Sequence, residues 1–113
     1  ERGARTAERR EESNGEARAS RTDQRRAAAE KRAELAPLKK AVQAAEKQVD
    51  KLTKEIAALD AVLGDSAIYS TNPQRAQAAA QQRGQFAKEL QSAEDAWLAA
   101  TEAYEEASAE ADA

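Results

Sequence analysis

From Leu35 onward, apolar residues recur at alternating intervals of three and four: Leu35, Leu38, Val42, Ala45, Val49, Leu52, Ile56, Leu59 and Leu63. This stepping keeps one apolar stripe facing a partner helix, and the nine positions form an unbroken a/d seam. The same stepping returns at Ala76, Ala79, Arg83, Phe86, Leu90, Ala93, Trp97, Ala100, Tyr104 and Ala107. Between the runs lies Gly64-Asp-Ser-Ala-Ile-Tyr-Ser-Thr-Asn-Pro73. Gly64 suits the left-handed position just past a helix end. Asn72 followed by Pro73 is a helix start, with Asn as N-cap and Pro at the first helical position. A connection this short pairs the helices within one chain. The predicted fold is all-α: an antiparallel two-helix coiled-coil hairpin with helices at about 34–63 and 73–108 and a tip at 64–72.

Folding the two runs about the tip places Leu63 near Ala76, Ile56 near Arg83 and Leu52 near Phe86. Further out, Val49 meets Leu90, Val42 meets Trp97 and Leu35 meets Tyr104. Arg83 is the one charged residue in the seam and is expected to snorkel outward and help fix the hairpin. Ile68 and Tyr69 are expected to fold back and plug the end of the seam. Pro37, at an outward c position, removes the bond to the Ala33 carbonyl and is expected to kink or break the helix. The hairpin domain, residues 22–113, thus acquires a Pro-kinked N-terminal extension. Residues 1–21 contain no aliphatic residue larger than Ala. They read as a charged linker, either disordered or helical by propensity alone.

Composition narrows the functional classes. The 113 residues include four aromatics, Tyr69, Phe86, Trp97 and Tyr104, too few for a thick core, while 35% are charged. There is no Cys and no His, which removes thiol chemistry, the usual general base and the commonest metal ligand. No phosphate-binding loop, zinc-protease, nucleophile-elbow or calcium-loop motif occurs. The adjacent Glu105 and Glu106 lie on a solvated face. The expectation is a non-catalytic chain that works by binding and holds no cofactor or metal. No apolar run approaches the roughly 20 residues needed to cross a bilayer, so no membrane partner is expected. A chain that opens on Glu1 and lacks Met is expected to be part of a longer or processed protein.

Charge points to a ligand. The net charge of −3 divides into +2 over residues 1–34, +1 over 35–63, −1 over 64–73 and −5 over 74–113. Lys40, Lys47 and Lys54 fall seven apart at the f position opposite the seam, with Lys51 beside them at c. Arg25, Arg26, Lys31 and Arg32 add positive charge upstream of Pro37. Such a line of cations can follow a phosphate backbone without reading sequence. A plain solvated face is the alternative, since f positions are polar in most coiled coils. Trp97 and Tyr104 read as core at this spacing.

Particular residues carry a family likeness. The LAPL step (Leu35 to Leu38), KLTKEIAALD (Lys51 to Asp60), the tip GDSAIYSTNP and the AEDAWL segment (Ala93 to Leu98) resemble the C-terminal coiled-coil domain of ABC-F ATPases, the Uup and YheS-like branch. The family tip typically reads D-P-x-L-Y-x-x-N/D-P. Asp65, Tyr69, Asn72 and Pro73 match it, while Ser66 stands for the first Pro and Ile68 for the Leu. The likeness covers roughly residues 24–108. It implies an accessory arm, itself without cofactor, on a cytoplasmic ATPase linked to the ribosome and translation; the matched stepping about one turn predicts that the hairpin is a monomer. Both ATP- and Mg-binding cassettes would lie upstream in the same chain, with DNA or ribosomal RNA as partner. A spacer or lever without nucleic-acid contact, and an intermolecular coiled coil, are the other readings.

Overall fold

A computed structural model describes the backbone of residues 2–112 and the side chains of residues 14–111. Helix covers 96% of the described residues and no strand occurs among them. The elements are α1 (Arg2–Gly64), α2 (Ile68–Thr71) and α3 (Pro73–Asp112). The chain divides into two compact units, Glu1–Ala36 and Pro37–Ala113.

In the first unit the backbone is helical from Arg2, so the segment predicted as a linker takes the helical option. Every side chain from Asn14 to Glu34 is exposed. No core residue explains this helix, and its Ala, Arg and Glu content does. The Thr22 hydroxyl donates to the Arg18 carbonyl at 2.9 Å. The side chains of residues 1–13 lie outside the described residues. Helix α1 is continuous through Pro37, so the break that the proline allowed does not occur.

In the second unit the two long helices pack against each other. Every seam position on α1 from Leu38 to Leu63 is shielded at least in part, as is every seam position on α3 except Trp97. Among the described residues Leu52 is the only large side chain that is completely buried, at 1% exposure, joined by Ala76, Ala79, Ala93 and Ile68. A two-helix seam has solvent along both flanks, so one residue pair per layer is all the core there is.

Two cross-helix bonds fix direction and register. The Arg83 guanidinium pairs with the Asp60 carboxylate. Trp97 Nε1–H donates to Glu46 Oε1 at 3.3 Å. From Asp60 to Glu46 α1 runs back fourteen residues while α3 runs forward fourteen, so the helices are antiparallel. The register differs from the pairing predicted above by about one helical turn. Trp97 is level with Ala45 and Glu46 instead of Val42, and Leu52 is level with Leu90 instead of Phe86. The reason is geometric. Opposing a to d across an antiparallel seam matches a three-residue step on one helix with a three-residue step on the other. Opposing a to a, as predicted, sets three against four and loses the layers.

The tip departs from expectation at one end and meets it at the other. Gly64 closes α1, but no glycine among the described residues has positive φ, so the left-handed cap is absent. Instead, the Asp65 N–H donates to the Val62 carbonyl at 3.3 Å, and Asp65 Oδ1 accepts the Ala67 N–H at 3.1 Å. The Tyr69 hydroxyl donates to the Leu63 carbonyl at 2.8 Å, satisfying one of the acceptors that every helix end leaves open. Ile68 is the plug, at 7% exposure, whereas Tyr69 remains 55% exposed. Only its hydroxyl is tied down. At the start of α3, Asn72 Oδ1 accepts the Arg75 N–H at 3.2 Å, the N-cap bond predicted from Asn-Pro.

Candidate nucleic-acid interface

The f position of α1 lies opposite the seam, so its side chains meet water by construction. Lys40, Lys47 and Lys54 are all exposed, and so is Lys51 at c. None of the four forms an ion pair among the described residues. Seven residues rise about 10.5 Å, so successive f lysines span roughly three base-pair steps of duplex at 3.4 Å per step. The second unit thus brings the four lysines to one side of one helix. Arg25, Arg26 and Arg32 are exposed in the first unit.

Arg83, singled out in the sequence as a seam cation, is spent inside the fold. Its hydrogen bond to Asp60, then the Asp60 charge, raises its pKa further above an already high value. It is a clasp between helices and offers no free charge to a ligand. Helix α3 supplies little cationic charge and a long acidic complement: Glu89, Glu94, Asp95, Glu102, Glu105 and Glu106 are all exposed.

Sequence reasoning missed the surroundings of Trp97. The indole is 37% exposed and borders a hollow with Glu46, Val49, Asp50 and Glu94. A second hollow is lined by Lys39, Val42, Gln43, Glu46 and Tyr104. The signal was available only with the register in hand, because Glu46 and Trp97 meet across the seam. Among the described residues, no group of three or more His, Cys, Asp or Glu could hold a metal ion, and no helix is long and apolar enough to cross a membrane.

No protein-family description, curated protein or solved structure matches this chain.

Proposed function

We propose that this chain is a nucleic-acid-binding accessory arm, the C-terminal domain of a cytoplasmic ABC-F-type ATPase linked to the ribosome and translation. It holds the phosphate backbone through Lys40, Lys47, Lys51 and Lys54 and catalyses nothing itself. The observation that carries the reading is the set of four exposed lysines with no ion-pair partner among the described residues, spaced along one outer face of α1. The tip residues Asp65, Tyr69, Asn72 and Pro73 support the family assignment. Three of them hold tip bonds through their side chains: Asp65 to the Ala67 N–H, Tyr69 to the Leu63 carbonyl and Asn72 to the Arg75 N–H. Arg25, Arg26 and Arg32 then supply further phosphate contacts, and ATP and Mg belong to cassettes elsewhere in the parent chain.

The acidic α3 makes the proposal directional, since a polyanion is repelled there and must approach through α1. Binding should be weak, tolerant of sequence and steeply salt-dependent. The test is a titration of duplex DNA and of structured RNA across a salt series, comparing the parent with K40Q/K47Q/K51Q/K54Q. Each duplex phosphate contact contributes about 0.9 to the slope of log affinity against log salt. Loss of all four should therefore flatten the duplex slope by roughly three to four units with helix content unchanged. An unchanged slope assigns the lysines to solvation and leaves Arg25, Arg26 and Arg32 as the remaining contact.

The second reading is a monomeric spacer or lever with no nucleic-acid contact. The two cross-helix bonds favour it, because a hairpin clasped at separate levels transmits displacement well. Absence of binding in both titrations would select it.

A further inference from the structure

One edge of the hairpin repeats every seven residues. On α1 the column is Lys39, Glu46, Thr53 and Asp60; on α3 the register sets Tyr104, Trp97, Leu90 and Arg83 level with them. At the tip end of this edge a carboxylate, Asp60, meets a guanidinium, Arg83. Two heptads away the equivalent carboxylate, Glu46, meets an indole. Trp97 Nε1–H gives Glu46 one hydrogen bond, at 3.3 Å, and no positive charge.

The imbalance grows around it. Asp50, one turn along α1, and Glu94, across the seam on α3, line the same hollow together with Val49. None of the three carboxylates has a cation within 4.0 Å among the described residues. The hollow has a volume of about 380 Å³, and Trp97 is 37% exposed. A partly exposed indole beside carboxylates that lack a cation partner attracts a cation twice over, through the ring quadrupole and through charge. A guanidinium suits it better than an ammonium, because it is planar, stacks on aromatic faces and binds a carboxylate by two parallel hydrogen bonds.

We propose that the hollow at Trp97 binds an arginine side chain of a partner polypeptide, placing at Glu46 the guanidinium that Arg83 supplies to Asp60. A polypeptide fits because the site does not end at the hollow. Glu46 also lines the neighbouring hollow with Lys39, Val42, Gln43 and Tyr104, so the two hollows share one carboxylate, and the second offers Val42 and Tyr104 as apolar surface beside a single cation, Lys39. This site does not depend on the nucleic-acid reading, and its charge excludes that ligand.

Trp97 is the only Trp in the chain, so its fluorescence reports on this site alone. The experiment titrates the full chain with hexa-arginine, hexalysine and hexaglutamate peptides and follows Trp emission. Hexa-arginine should give a saturable change, hexalysine should bind several-fold more weakly, and hexaglutamate should give none. E46Q/D50N/E94Q should weaken hexa-arginine at least tenfold with its circular dichroism unchanged, whereas E105Q/E106Q should bind as the parent does. The proposal is overturned if hexa-arginine leaves the emission unchanged at millimolar concentration, if hexalysine matches it, or if the triple variant binds as tightly. A concentration-dependent emission shift without peptide, lost in the triple variant, would name a second copy as occupant and overturn the heterologous partner. Nucleic-acid binding by the triple variant should equal the parent's, so failure of either proposal leaves the other readable.

Discussion

Leu52→Ala should be among the most damaging single truncations in the hairpin. Leu52 is the only large side chain at 1% exposure among the described residues. Burying a Leu stabilises by about 1.5–3 kcal/mol, and truncations to Ala at enclosed sites cost about 2–5 kcal/mol once the cavity is included. The low half of that range applies here. A two-helix seam is bounded by water on both flanks, so a void at Leu52 can be closed by helix approach or reached by solvent. At roughly 0.05–0.15 kcal/mol per residue, the unit Pro37–Ala113 has only about 4–11 kcal/mol to lose. A cost of about 2–3 kcal/mol therefore lowers the melting temperature by roughly 10–20 °C for a domain of this size. The assay is thermal and urea unfolding followed by circular dichroism, with Leu98→Ala, at 52% exposure, as control. Leu98→Ala should stay within about 0.5 kcal/mol of the parent, and Trp97→Ala should fall between the two. If Leu52→Ala and Leu98→Ala melt together, the assigned seam is not what holds the helices.

Three other outcomes test the fold directly. Gly64 has helical φ and open space where a Cβ would sit, so Gly64→Ala should raise stability by about 0.4–1 kcal/mol; a loss would restore the left-handed cap. In this Cys-free chain, D60C/R83C should crosslink readily under mild oxidation, whereas I56C/R83C, the pairing read from sequence, should crosslink slowly; the reverse order would refute the register. The raised pKa of Arg83 means its contribution is complete below the unfolded value and fades only as pH climbs past the still higher folded value. With no His or Cys, the melting temperature should stay level between pH 6 and 9, and a step there would reveal an unassigned titrating group.

What could be read in advance followed from local physics. The Leu35 to Leu63 seam announces itself because large aliphatics at three-four spacing have one use on a helix. Asn72-Pro73 reads as a start because both residues fit those positions chemically. The layer pairing and the surroundings of Trp97 needed the partner helix. Which layer Trp97 joins depends on antiparallel steps matching, so the indole was assigned to the core, and its ring of carboxylates went unseen. Gly64 suggests a left-handed cap by its residue type, yet the Asp65 N–H and the Tyr69 hydroxyl satisfy carbonyls at the end of α1 instead. The basic face, Lys40, Lys47, Lys51 and Lys54, is legible as a face; its charge pattern raises a phosphate ligand beside plain solvation, and the family resemblance adds weight to the first.

The closed tip makes the hairpin mechanically unequal in two directions. Force that parts Pro37 from the end of α3 breaks one seam layer at a time and meets the Trp97–Glu46 bond before the Asp60–Arg83 pair. Force that slides one helix along the other loads every layer and both bonds together, and the tip with its Ile68 plug stops the slip. The same contacts peel easily and shear with difficulty, so a partner gripping the α1 face can push along the axis without opening it.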